Sequence, residues 1–338
     1  MNKTIYLIAE IGVNHNGSLK LAKKAITLAK KNGANAVKFQ TFKAEHLVSP
    51  NTPKTEYQKK NIPNQQTHFN MIKSLELDEK QHIKIINYCK TLKIDFISTP
   101  YGINDAKLLN KIGCKIFKTA SADIVDLEMH EYLSKINQKI IISTGMSSIK
   151  EIAACLNIYK KNKKKNILLL HCVSNYPCSY ESLNIKSIEL LKKKFNVDVG
   201  FSDHSVGNMA SILSLAFGSS VIEKHFTISK LLKGPDQATS ITPKEFKMLS
   251  QDLKLATKIL GKEEKKCQPE EKNMKMIARK SLTLKRFIYK NEKIGKKDLT
   301  LMRPGYGLYY KNIYKIIGKR AKRNLTKFHQ IKFSDLKS

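Results

Sequence analysis

Eight short β-rich apolar runs, each followed by a lysine-rich amphipathic stretch, fill about the first 260 residues, and this alternation restricts the fold more than any other feature. The runs lie at 4–12, 36–42, 96–100, 115–121, 139–145, 167–172, 198–204 and 220–226. Helices are expected near 18–32, 78–92, 104–112, 126–136, 148–161, 184–195, 207–217 and 243–260, with a long loop between 42 and 78. The runs are continuously apolar, as parallel strands covered on both faces must be. Strict strand–helix alternation gives an α/β class, and eight repeats favour a closed (β/α)₈ barrel over an open sheet. No G-x-G-x-x-G follows the first run, which argues against a dinucleotide-binding fold.

After residue 260 the composition changes. GKEEKKCQPEEKN (261–273) is charged and reads as a linker, and short β-like pieces follow, with a turn-like RPGYG at 303–307. The expected organisation is a barrel over 1–262, a linker over 263–277 and a small β-rich domain over 278–338.

A net charge of +34 would ordinarily suggest a nucleic-acid partner. Of 62 basic residues, however, only Arg279, Arg286, Arg303, Arg320 and Arg323 are arginines, and the lysines are spread over nearly every expected helix. Nucleic-acid readers cluster their charge and use arginine for bidentate contacts. No nucleic-acid partner is therefore expected, and a basic nucleic-acid-binding protein stands as the alternative from another class. The six cysteines form no C-x-x-C pair and lie mostly in apolar runs, which suits reduced, buried thiols. The N-terminal stretch lacks the apolar core of a signal peptide, and no run of about 18 apolar residues occurs. A cytoplasmic protein without a membrane partner is expected.

In a (β/α)₈ barrel the chemistry sits at the C-terminal strand ends. All eight expected strands end in polar or charged groups, among them Glu10, Lys38, Gln40, Thr99, Lys118, Ser121, Ser143, Ser202, His204, Glu223 and His225. His204 and His225 close neighbouring strands, so their imidazoles can share one ion; Mn²⁺, Fe²⁺ or Zn²⁺ would suit two histidines with open positions. The alternative for each is a hydrogen-bonded core histidine. His171 is read as holding a loop. Lys38 and Lys118 lie inside apolar runs, where an unpaired charge is costly. Two such lysines at one barrel mouth suggest a carboxylate or phosphate ligand, with Thr99, Ser121, Ser143 and Ser202 as further donors. A Schiff-base role for one of the lysines is the competing reading.

These residues fall in EIGVNHNGS (10–18), VKFQTF (37–42), ISTP (97–100), STGM (143–146), HCVSNYP (171–177), GFSDHS (200–205), EKHFT (223–227), KGPDQATS (233–240) and RPGYG (303–307). In that order, over almost the whole chain, the segments resemble the sialic acid synthase family. The resemblance implies a TIM barrel with a C-terminal antifreeze-like (SAF) domain, in a homodimer where that small domain covers the partner's active site. It implies a transferase that condenses phosphoenolpyruvate with an N-acetylated mannosamine-type sugar, giving a nine-carbon 2-keto acid of the N-acetylneuraminate or legionaminate type. It further implies a divalent cofactor, Mn²⁺ foremost, on His204 and His225, and phosphoenolpyruvate on Lys38, Thr99, Lys118, Ser121, Ser143 and Ser202. Glu10 falls on the essential carboxylate; Gln40, Tyr176 and Asp236 fall on sugar contacts, with Arg303 supplied across the dimer. Asp123 stands where many members carry Glu, and Ser174 where some carry Asn or Thr, and both are expected at the sugar pocket. A pseudaminic-type synthase is the alternative within the class.

Overall fold

The computed structural model describes residues 5–61 and 67–337. The expected first strand residue at 4 and the expected last domain residue at 338 lie outside the described residues. Eight parallel strands close on themselves: β1 (Tyr6–Gly12), β2 (Ala36–Thr41), β3 (Asp95–Pro100), β4 (Ile116–Thr119), β5 (Lys139–Ser143), β6 (Ile167–His171), β7 (Asp198–Asp203) and β8 (Val221–His225). The seam is a β1–β8 pair that sets Glu10 opposite His225. One main helix follows each strand: α1 (Leu19–Lys31), α2 (Glu79–Thr91), α3 (Ile103–Lys111), α4 (Leu127–Lys135), α5 (Ile149–Lys161), α6 (Ser187–Phe195), α7 (Met209–Ala216) and α8 (Pro243–Leu260).

Local sequence explains where these helices begin. Asp78, Ser148 and Thr242 each form a capping box with the residue three positions on, and Pro243 occupies the first turn of α8. Behind the strands, Ala22, Ile26, Ile85, Leu109, Leu133, Tyr159 and Phe246 seal the barrel against its helices. Inside it, Ile8, Ala36, Ile97, Ile141, Leu168, Leu170 and Val221 form a separate apolar plug. No described helix is long and apolar enough to cross a membrane. All six cysteines are unpaired, and only Cys267 is exposed.

Two segments differ from the sequence expectation. The loop after β2 contains three short helices, Ala44–Leu47, Glu56–Asn61 and His68–Lys73. The stretch read as a linker carries helix α9 (Glu271–Ala278), because Glu, Lys, Met and Ala are strong helix formers once Pro269 is passed.

The chain divides into two compact units, Met1–Gly261 and Lys262–Ser338. In the second, β9 (Ser281–Leu284) and β10 (Leu299–Met302) pair antiparallel over a core that includes Leu282, Leu284, Ile294, Leu299, Ile316 and Ile331. Its arginines are mostly committed locally. Arg286 Nε donates to Asp298 Oδ1 at 2.7 Å, Arg323 Nη2 to Asp335 Oδ1 at 2.8 Å, and Arg320 Nη1 to the Asn291 carbonyl at 2.7 Å. Arg279 lies over the Tyr309 ring at 5.8 Å, whereas Arg303 makes no hydrogen bond or ion pair among the described residues.

Candidate active site

The two-residue period of a strand sorts the polar strand ends into two sets. Continuing the inward positions of the apolar plug toward the C-terminal ends leads from Ile8 to Glu10, Ala36 to Lys38 and Gln40, Ile97 to Thr99, and Val221 to Glu223 and His225. The same step leads from Ile116, packed against the plug, to Lys118, and from Ile141 to Ser143. The other parity faces the helices. There His171 Nε2 donates to the Leu183 carbonyl at 2.7 Å, and Lys224 pairs with Asp203 at 2.9 Å while also donating to the Ser205 carbonyl. Asp203 accepts from Ser205 and Ser211, completing a buried structural network.

At the inward mouth the charges interlock. Lys38 Nζ lies 2.8 Å from Glu10 Oε1 and 3.8 Å from Glu223 Oε2; Lys118 Nζ lies 3.6 Å from Glu223 Oε1. Both lysines are buried, at 2% and 8% exposure. Lys38 also donates to Thr99 Oγ1 at 3.4 Å, and Gln40 Nε2 to Glu10 Oε1 at 3.3 Å. Glu223 therefore stands at the centre of the cluster. From sequence, Glu223 is only one of the polar strand ends, and the anion beside the lysines is expected to come from a ligand. The signal was present: in Val221–His225, the residue two before a mouth-facing histidine shares its face, and buried lysines need carboxylates from the chain itself before any ligand arrives.

The two carboxylates titrate in opposite directions. Burial raises Glu10, Lys38 works against this and Glu223 reinforces it, leaving its proton affinity above that of an ordinary glutamate. Burial alone would raise Glu223 too, but Lys118, Lys38 and the Ser202 hydroxyl hold it at about 2. For Lys118, burial favours the neutral amine, yet Glu223 and the other nearby anions keep its affinity for a proton above that of a free lysine. A Schiff-base lysine needs the neutral amine, so this environment disfavours that reading.

His204 and His225 meet with ring centroids 5.5 Å apart, and the Tyr176 ring lies 4.2 Å from the former and 5.4 Å from the latter. Burial lowers His204 to about 4 and His225 well below its usual value, so both imidazoles are neutral at pH 7. His204 Nδ1 donates to the Val173 carbonyl at 2.7 Å, which leaves Nε2 as a lone pair. Ser202, 3.2 Å from that nitrogen, directs its proton to Glu223 at 2.9 Å. His225 Nδ1 is buried without a hydrogen-bond partner among the described residues and lies 3.9 Å from Asp236 Oδ2. Two neutral, under-satisfied imidazoles are a donor set that fits a divalent cation with positions left for water and substrate. No group of three or more metal-ligating side chains occurs among the described residues.

A cavity of about 550 Å³ opens over this cluster. Of the residues anticipated from sequence, Glu10, Lys38, Gln40, Thr99, Lys118, Ser121, Ser174, Tyr176, His204, His225 and Asp236 line it. Ser202 is bonded to its wall residues. Among the described residues Ser143 Oγ and Asp123 Oδ2 are buried without hydrogen-bond partners, and they do not line the cavity. Arg303 belongs to the second unit. Ser121 Oγ accepts the Gly145 N–H at 3.0 Å; a Cβ on Gly145 would meet Ser174 Oγ at 2.4 Å, so glycine lets the backbone close on the cavity there. The apolar and polar residues contributed by the loop after β2, such as His68 and Ile72, were not anticipated, because their positions depend on how that loop folds back.

Known proteins are similar to this chain in sequence and in fold. The sequence profile of the NeuB family matches residues 25–265, and that of the SAF domain matches residues 279–337. The chain belongs to the NeuB family. It is 42% identical to the N,N'-diacetyllegionaminic acid synthase of Campylobacter jejuni over 96% of this chain and 97% of that protein. It is 40% identical to the protein of the same name from Legionella pneumophila, covering 96% and 92% respectively. A pseudaminic acid synthase of Campylobacter jejuni is 31% identical over 99% of this chain and 95% of that one. The crystal structure of an N-acetylneuraminic acid (sialic acid) synthetase from Leptospira borgpetersenii, in complex with citrate, superposes with a TM-score of 0.73 at 33% identity, over 81% of this chain and 90% of that one. By name, these relatives are synthases of legionaminic, pseudaminic or sialic acid.

Proposed function

We propose that this NeuB-family chain condenses phosphoenolpyruvate with an N-acetylated mannosamine-type sugar, and that its product is of the diacetylated legionaminic type. The observation carrying this reading is the meeting of two buried lysines, two carboxylates and two neutral imidazoles in one cavity. The higher identity to the legionaminic synthases than to the pseudaminic one favours that branch. In the reaction, C3 of phosphoenolpyruvate attacks the aldehyde carbon of the open-chain sugar, water adds at C2, and phosphate leaves by C–O cleavage. The aldehyde oxygen gains a proton and C2 becomes the ketone.

Lys38 and Lys118 bind the phosphate and carboxylate, with the Thr99 and Ser121 hydroxyls beside them. Fixed, buried ammonium groups also stabilise the charge that develops as phosphate departs. Glu10, with its raised proton affinity, is suited to take a proton from the attacking water. Glu223 lies beside both lysine side chains and aims them into the cavity, and it helps to keep Lys118 charged. When bound by His204 and His225, Mn²⁺ supplies Lewis-acid polarisation of the sugar aldehyde. Gln40, Tyr176 and Asp236 orient the sugar. The enzyme works as a homodimer in this reading, and Arg303, without a partner among the described residues, reaches the sugar from the neighbouring subunit.

The test is phosphate release from phosphoenolpyruvate with Mn²⁺, in parallel with N-acetylmannosamine and 2,4-diacetamido-2,4,6-trideoxymannose. Release that requires the diacetamido sugar and stops on addition of EDTA is the expected outcome. A folded protein that releases none with either sugar and does not bind phosphoenolpyruvate would overturn the reading.

A further inference from the structure

One side of the cavity is unlike the rest. Leu47, Val48 and Ile72 from the loop after β2, with Val13, Phe42 and Tyr101, present carbon to a space whose floor is charged. Most belong to a separate hydrophobic cluster that also buries Met71 and Leu75. The wall is thus packed from behind and fixed in shape. Polar residues of the same loop, Thr55, Glu56, Gln58 and His68, line the cavity beside it. His68 opens the short helix His68–Lys73, and Ile72 lies four residues on, so both share a helix face and both line the cavity. His68 Nδ1 is buried and has no hydrogen-bond partner among the described residues.

These residues have no part in the proposed reaction, in which the lysines take phosphoenolpyruvate and the histidines of β7 and β8 face the aldehyde end. A sugar carrying only hydroxyls would set them against Leu47, Val48 and Ile72 and strand their hydrogen bonds. An acylamino group fits both features, because its amide can partner a ring nitrogen while its methyl buries against aliphatic side chains. We propose that this wall and His68 form the receptor for a second acylamino group on the acceptor sugar, its methyl against Leu47, Val48 and Ile72 and its amide on His68 Nδ1. The inference rests on the synthase reading above and assigns its acceptor specificity to named residues.

Two acceptors that differ only at C4 test it: 2,4-diacetamido-2,4,6-trideoxymannose and 2-acetamido-2,6-dideoxymannose. The wild type should favour the diacetamido sugar by about tenfold or more in kcat/KM. His68→Leu should erase about tenfold of that preference through the sugar KM, with the KM for phosphoenolpyruvate unchanged. His68→Asn, which returns an amide to the site, should restore part of it, and the isosteric Val48→Thr should narrow the preference without disturbing the fold. Equal use of both sugars by the wild type, or variants that slow both sugars alike, would remove the receptor while leaving the synthase reading standing. Absence of phosphate release with either sugar from folded wild type would remove both.

Discussion

A buried lysine is costly only while it lacks a partner, and each of the two at the barrel mouth is held by a carboxylate from a neighbouring or facing strand. The same rule applies to buried histidines away from the cavity, with the opposite remedy: they stay neutral. Burial lowers His15 to about 4 despite a supporting backbone bond, and it lowers His130 to about 4 likewise. His130 is tied through both nitrogens, Nδ1 to the Tyr159 hydroxyl at 2.7 Å and Nε2 to the Asp123 carbonyl at 3.2 Å. In the unfolded chain each would protonate near 6.5, so between pH 6.5 and 4 the unfolded state binds more protons. Their contribution is complete above about pH 6.5 and is lost as pH falls, to a limit of roughly 3 kcal/mol each. Melting temperatures taken at pH 7, 6 and 5 should decline, and His130→Gln should decline less steeply. Parallel slopes for the two proteins would show that this histidine is not a source of acid lability.

The loops that close the β1–β8 seam act as one element. Asn14 Nδ2 donates to the Phe226 carbonyl at 2.9 Å and to Ser240 Oγ at 2.8 Å, and Gln237 Nε2 reaches Asn16 Oδ1 at 3.0 Å. The NHNG turn is thereby clamped onto the loop after β8, one residue beyond His225. Gly17 sits at φ +71, and a Cβ there would meet the Ser74 carbonyl oxygen at 2.7 Å, so the same turn is also pressed against the loop after β2. Asn14→Ala strands a buried carbonyl and should cost about 1–3 kcal/mol in a urea titration. Because that carbonyl belongs to the residue that directly follows His225, kcat should fall as well. Wild-type stability and turnover in this variant would mean that the seam is held by strand pairing alone.

For the whole molecule, the proposed dimer makes each active site a composite of two chains. Of the five arginines, Arg303 is the one without a hydrogen bond, ion pair or ring contact among the described residues, which leaves it available to a neighbouring subunit. Subunit mixing examines this directly. His204→Ala and Arg303→Ala should each be inactive in phosphate release. Mixed and re-equilibrated in equal amounts, they should regain about a quarter of wild-type activity, since half the dimers then contain one site with both residues intact. If Arg303 acts within its own chain, no activity returns.

The eight strand–helix units, the barrel and the inward-facing lysines and histidines followed from sequence alone, because the strand period and the buried apolar runs are local properties that a chain carries wherever it folds. The capped helix starts at Asp78, Ser148 and Thr242 are of the same kind. What only the tertiary structure decided concerns pairs far apart in the chain. Glu223 on β8 became the counter-ion of Lys118 on β4, giving the lysine a partner that sequence alone places in a ligand. His68 and Ile72 became cavity residues only because a long loop folds back over the mouth. Local sequence encodes periodicity and capping; charge compensation and cavity walls are set by closure of the barrel, which brings together residues that no local pattern connects.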